Sequence, residues 1–419
     1  MKLYIIFTLD IHPIGGMQLY TAGKADYLKR NGWKVVVFYP GSNDENCAVT
    51  SLNRYVEGGN LLLDYRPAQL PKYLQNGVYH QMKKCLPEDY EQAECIYVET
   101  QSDVTALWGE FLAKRISARH ICFNCNELFR GVKKYYEENI EFFKFKYARR
   151  ELLGLHTDTL QKIFDGYMTV PCDSEFLFDA VEPGPIQDVN SEFVNQLPKY
   201  DWTIVYIGRA EKRYVENIIE GVSEFAQLHS DKEIQFIMVG NADCRRNLIA
   251  EKLDKFSNLH VELAGDMVPI PKSLYKKTDV VIAGAVCAEI SARESVPTIV
   301  ADCENYLSCG VLGYTTMNSM YHEEGYKQTG FGEALEDVLV NKTYLQHEYA
   351  FPEAISPDQI FESHFSFFDG AEKKKEYYDV EDQSDIKKIG LTESAKAFLK
   401  LYNPKLFFDM YEIKKRFHL

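Results

Sequence analysis

The residues best suited to chemistry are glycines and cations placed where an apolar run gives way to a helical pattern. Gly15 and Gly16 follow the apolar run at 2–9. Gly208 and Arg209 follow the run at 202–207, with Lys212 and Arg213 just beyond. Glycine lets backbone approach a ligand closely, and amides at such a turn can meet a phosphate. The turn at 284–287 opens another helical stretch, whose first amides carry partial positive charge suited to the same kind of anion. Two carboxylates, Glu289 and Glu294, lie along and just after that stretch. Metal chemistry has no such support. The ten histidines show no metal-ligand spacing, although His12 sits beside the Gly15 turn. Cys122 and Cys125 form a lone C-x-x-C with no second pair and no following His, and no Asp-x-Asp occurs, so no metal cofactor is expected.

The elements that must position these residues alternate along the chain. Apolar runs at 2–9, 34–38, 60–63, 95–99, 120–123 and 167–170 read as strands with helical segments between most of them. That rhythm predicts a parallel sheet covered on both faces. A Pro/Asn-rich stretch at 182–197 interrupts it. The rhythm then restarts with strands at 202–207, 234–239, 259–263, 279–283 and 298–301, and helices at 214–228 and 245–256. Two such sets predict an α/β protein with two doubly wound, Rossmann-like domains facing across a cleft. Ligands of these sheets bind at the carboxyl ends of the strands. The expected division is 1–190 for the first domain, 191–390 for the second, and 391–419 for a C-terminal helical segment crossing back to the first. Residues 346–390 are weakly patterned and charged and read as loop with short helices. Pro404 is expected to break the final helical stretch in two.

Composition narrows the partners. The chain of 419 residues is 46% apolar and 26% charged, as in ordinary globular domains. A net charge of −15 argues against nucleic acid, whose phosphates demand clustered Lys and Arg. The ten cysteines are scattered, several inside apolar runs, which suits reduced thiols in a cytosolic protein. Asp10 interrupts the first apolar run, so the N-terminus reads as a strand rather than a signal peptide. No segment approaches the roughly 18 apolar residues of a membrane span. A cytoplasmic protein, at most peripheral to the inner face of the plasma membrane, is expected. The stretch from Arg130 to Arg150 mixes seven basic residues with Tyr and Phe. It reads either as a docking surface for an anionic leaflet or as a helix packed on its own domain.

Four passages together resemble glycosyltransferase family 4, in the form common among capsule and O-antigen transferases. PIGGMQLYTAGKADYLKRNGWKVVV from Pro13 is similar to the family's Gly-Gly loop, first helix and second strand. TIVYIGRAEKRYVENIIEGV from Thr203 resembles the opening of its donor domain, and FIMVGNADCRRNL with HVELAGDM resembles the next two strands. DVVIAGAVCAEISARESVPTIVAD from Asp279 resembles the strand, acidic helix and following strand. The resemblance implies a GT-B glycosyltransferase that uses no metal and holds a nucleotide sugar mainly in its C-terminal half. Arg209 and Lys212 would reach the diphosphate, with Arg213 as an alternative to Lys212, and Gly15, Gly16 and Gly208 would bring backbone to the donor. Glu294 matches the family's ribose-binding glutamate at a shortened spacing. Val286 falls where the sugar-contacting glutamate belongs, so Glu289 is the nearby substitute. A histidine usual after the fifth strand is missing, and Asn126 or Glu127 would hydrogen-bond the sugar or assist the acceptor. The family implies transfer from a UDP- or GDP-sugar to a glycan or lipid-linked acceptor, with the anomeric configuration retained. The missing histidine and displaced glutamate leave open a non-catalytic subunit of the same fold that binds glycan or a partner transferase. A sugar-nucleotide epimerase is a further alternative.

Overall fold

The computed structural model describes residues 1–12, 14–40, 47–58, 61–124, 136–154, 157–170, 191–369, 376–383 and 385–416. The chain divides into two compact units, one formed by Met1–Val181 with Ser356–Leu419 and the other by Glu182–Ile355. The stretch from Ser356 onward therefore packs with the first unit, where the sequence placed a second domain running to residue 390.

In the first unit, strands β1 (Lys2–Phe7), β2 (Trp33–Phe38), β3 (Val56–Gly58), β4 (Cys95–Thr100), β5 (Arg119–Asn124) and β6 (Leu152–Gly154) form one parallel sheet. Their order is β3-β2-β1-β4-β5-β6. The helices that matter here are α1 (Gly16–Arg30), α2 (Lys72–Lys84), α3 (Asp103–Ile116) and α4 (Ile140–Ala148). Among the described residues, two expected strands do not form, and Asn60 of the first lies outside the described residues. Leu61–Leu63 are fully buried under the sheet without strand pairing, and β3 lies just before them. At 167–170 the backbone is instead held by the Gln161 side chain, which donates to the Met168 carbonyl and accepts from the Val170 amide. Both segments are apolar enough to be core, and apolarity alone cannot separate a buried strand from a buried turn.

Each face of this sheet carries a buried ionic cluster. On the α1 face the Glu99 carboxylate pairs with Lys24 and accepts from the Tyr4 and Tyr20 hydroxyls at 2.6 and 3.0 Å. His364, on a helix within the stretch read as loop with short helices, brings Nδ1 to 3.0 Å from Lys24 Nζ. On the opposite face, Glu110 of α3 meets His120 Nδ1 at 2.6 Å and Lys146 of α4 at 2.8 Å, and Lys146 also reaches Glu151 at 2.7 Å. Glu110 accepts the Tyr378 amide at 2.7 Å as well, tying the returning C-terminal stretch to the core. The described part of the stretch ending at Arg150 is thus a packed helix: Phe142 and Phe143 are core residues, and Lys146 and Arg149 are buried on carboxylates. Phe145 and Tyr147 of the same helix are half-buried.

In the second unit, β7 (Trp202–Ile207), β8 (Ile234–Val239), β9 (Leu259–Gly265), β10 (Val280–Ala283), β11 (Thr298–Ala301) and β12 (Ser308–Val311) pair in the order β12-β11-β10-β7-β8-β9. All pairs are parallel except β11 with β12, a short strand the sequence did not signal. Helices α5 (Val215–Leu228) and α6 (Ala285–Arg293) follow β7 and β10. The chain returns to the first unit with α7 (Pro357–Asp369), which packs on α1, then α8 (Leu391–Tyr402) and α9 (Pro404–Arg416), separated at Pro404 as expected. The fold is α/β, with a doubly wound sheet in each unit.

Candidate functional site

In the second unit the chain turns one way from β7 to β8 and the other way from β10 to β11, so the strand order reverses between β7 and β10. Crevices form at such points, outside the carboxyl ends of the strands. Here four adjacent strands end in glycine: Gly208 after β7, Gly240 after β8, Gly265 closing β9 and Gly284 after β10. The reason is steric at two of them. Gly240 adopts φ +125°, and a Cβ there would lie against the Gly208 carbonyl well inside van der Waals contact. Gly208 at φ +153° would set a Cβ 2.7 Å from the Tyr206 hydroxyl, which itself donates to the Arg209 carbonyl at 3.0 Å. The result is a rim of backbone with few side chains standing above it.

Arg209 and Lys212 extend from this rim. The Lys212 amide donates to the Arg209 carbonyl at 3.2 Å, closing a turn that leads into α5. The Arg209 guanidinium is half-exposed and 3.4 Å from Glu211. Arg213 donates to the Tyr306 hydroxyl at 3.2 Å. Arg245, which the sequence did not single out, braces the turn by donating to the Ala210 carbonyl at 3.1 Å and pairing with Glu216.

The start of α6 stands beside this turn, because Ala283 is the register partner of Ile207. Ala285 adopts φ +54°, a left-handed conformation that costs a non-glycine residue about 1 kcal/mol and gathers at functional sites. Its amide donates to the Ser319 carbonyl at 2.7 Å, so that one amide of the helix start is already satisfied within the protein. The Ser319 hydroxyl in turn donates to Glu289 at 2.8 Å, and Arg293 lies 3.6 Å from the other Glu289 oxygen. The loop carrying Ser319 is held by Glu323, whose carboxylate accepts from the Thr316 hydroxyl and from the Met317 and Asn318 amides at 2.8, 2.7 and 3.0 Å. Glu289 is buried and bound to this loop, so it acts on the rim through Ser319.

Glu294 stands elsewhere. It caps the C-terminal end of α6, nine residues and about 13 Å along the helix from the rim, where it pairs with Lys272 at 2.9 Å. The structure therefore brings together Gly208, Arg209, Lys212 and the Glu289-held start of α6, but not Glu294. Gly15 and Gly16 belong to the first unit, at the corresponding turn between β1 and α1. Gly15 is in extended conformation, and its carbonyl accepts the Leu19 amide at 3.0 Å while Gln18 folds back to the Asp10 carbonyl at 2.8 Å. Asn126 and Glu127 lie outside the described residues. Among the described residues no cluster of three or more His, Cys, Asp or Glu is placed to hold a metal ion. The missed glycines, Gly240 and Gly265, carried the same signal as Gly208 and Gly284: VGN and AGD, like IGR and AGA, put glycine directly after an apolar run.

No protein-family model and no curated protein matches the chain. Solved structures do. A protein of Anabaena, Alr3699/HepE in complex with UDP and glucose, aligns over 88% of this chain and 99% of its own with TM-score 0.56 and 10% identity. A glycosyltransferase from Rickettsia africae aligns over 96% and 98% with TM-score 0.53 and 13% identity. A UDP-N-acetylglucosamine 2-epimerase aligns over 90% and 99% with TM-score 0.50 and 11% identity. At such identities the likeness is one of fold: two Rossmann-like units of the GT-B kind.

Proposed function

We propose that the chain is a glycosyltransferase that moves a sugar from a UDP- or GDP-sugar to a glycan or lipid-linked acceptor. The observation that carries this reading is the glycine rim beside Arg209. Glycine at four strand ends lets backbone amides approach a diphosphate closely, and Arg209 with Lys212 supplies the positive charge that the departing diphosphate needs without a metal. Glu289 is a positioning residue, fixing the Ser319 loop over the start of α6. The anomeric configuration is retained by front-face attack. The Anabaena structure with UDP and glucose supports a uridine nucleotide.

A thermal-shift titration with UDP, GDP and their sugar conjugates, with and without magnesium, tests the reading. A donor at about 100 times its Kd stabilises by about 2.7 kcal/mol, several degrees. A magnesium-independent shift lost in Arg209→Ala is expected, and absence of any shift overturns the proposal in favour of a non-catalytic subunit. The epimerase of like fold motivates a second reading. It requires turnover of the nucleotide sugar with no acceptor present, which the transferase reading excludes.

A further inference from the structure

The final two helices expose large apolar side chains. Helix α8 buries Ser394, Ala397 and Leu401 against the first unit, where it packs on α2. Phe398 and Tyr402 are each about half-exposed, with ring centroids 4.7 Å apart, and the Tyr402 hydroxyl lies against Gly77 of α2. Helix α9 packs on α8 after the break at Asn403, and carries Leu406 and Met410 one turn apart. These four residues and Phe408 are each between 40% and 55% exposed, and Leu391 at the start of α8 is 92% exposed. Scattered exposed apolar residues need no explanation, but five large ones on two helices packed together do.

Charge says what covers it. By sequence, residues 391–419 carry six basic and three acidic side chains, a positive surplus on a chain whose net charge is −15. Lys405 is exposed at the first turn of α9, beside Leu406. A second copy meeting this face about a two-fold axis would set two positive surpluses together. An anionic bilayer complements the surplus and repels the acidic remainder, which orients the molecule. Aromatic and aliphatic side chains flanked by Lys suit the boundary between headgroups and acyl chains. At 13 residues, about 20 Å, α9 is too short to span a bilayer and fits one lying in the surface plane.

We propose that α8 and α9 form a docking surface for an anionic lipid bilayer. This surface is independent of the sugar-transfer reading and uses other residues than the stretch ending at Arg150. The test is co-sedimentation of the full chain with vesicles of equal parts phosphatidylcholine and phosphatidylglycerol, against pure phosphatidylcholine. Binding to the anionic vesicles that weakens with salt is expected. Leu406→Ser with Met410→Ser should reduce it by about a hundredfold, since two exposed apolar side chains no longer enter the interface. Lys405→Glu should reduce it by about tenfold and flatten the salt dependence. All three positions are exposed, so melting temperatures matching the native chain will show that the fold is intact. Failure to bind anionic vesicles at low salt, or binding unchanged by these variants, overturns the proposal. So does a dimer in light scattering that the double serine variant dissolves, which would make a second copy the occupant.

Discussion

Lys24 gives the sharpest test of how the first unit is held together. Its ammonium is fully buried, pairs with Glu99, donates to the Tyr20 hydroxyl at 2.8 Å and lies over the Tyr4 ring at 5.2 Å. Lys24→Met removes the cation but leaves Glu99 in the same dry pocket. The two tyrosine hydroxyls and the Gln101 amide at 3.3 Å still donate to it, yet its charge has no counterion. Breaking a buried pair this way costs about 3–5 kcal/mol. For a unit of this size, about 2–4 °C per kcal/mol, the melting temperature should fall by roughly 6–20 °C. Glu99→Gln should cost a similar amount by stranding the lysine. The double variant Lys24→Met/Glu99→Gln keeps the tyrosine hydrogen bonds and buries no charge, so it should be more stable than either single variant, with a coupling of about 2 kcal/mol or more. Thermal and urea unfolding followed by circular dichroism measures all four proteins. Additive losses in the double variant would refute the reasoning, because they would mean that Lys24 and Glu99 do not depend on one another.

Three further outcomes are expected. His120 is held down to about 4 by burial and by the Lys146 charge, and Glu110 is held down to about 2 because Lys146 and the His120 hydrogen bond outweigh its burial. Both folded values lie below the unfolded ones, so both contributions are present at neutral pH and lost on acidification. His120 should account for about 3 kcal/mol lost between pH 6.5 and 4, and urea midpoints should fall less steeply there in His120→Gln than in the native chain. Gly240→Ala should lower stability by roughly 2–5 kcal/mol and abolish the nucleotide-induced shift by displacing the Gly208 turn. Gly265→Ala, with φ +69° and open space at its Cβ, should cost only about 1 kcal/mol, and equal losses in calorimetry would contradict the rim geometry. Glu289→Ala should weaken nucleotide-sugar binding about tenfold, while Glu289→Gln, which can still accept from Ser319, restores most of it and Glu294→Ala changes nothing by titration calorimetry.

What the sequence disclosed and what it withheld divide along a physical line. Strands such as 34–38 and 234–239 are continuous apolar runs because both their faces are buried, and that local pattern places them to within a residue or so. The α/β class and the Gly208-Arg209 turn follow from the same pattern. Residues 346–390 read as loop with short helices because they are charged overall, so the bounds and 13-residue length of α7 were not legible. Its register emerges only once Phe361, His364 and Phe368 are seen buried on one face, with Phe361 and His364 against Tyr20 of α1. The two carboxylates show the limit most plainly. Counting along the chain favours Glu294, because it precedes the Val-Pro-Thr-Ile-Val strand. The helix, however, runs away from the rim, so each residue toward β11 moves about 1.5 Å farther from the strand ends. Glu289, one turn in from the helix start, remains within reach through Ser319, a residue thirty positions later that no spacing along α6 could supply. Position along a helix sets distance from a site at its end. The candidate site therefore depended on the direction of α6 and on a returning loop, and both are properties of the packed chain rather than of any short stretch of it.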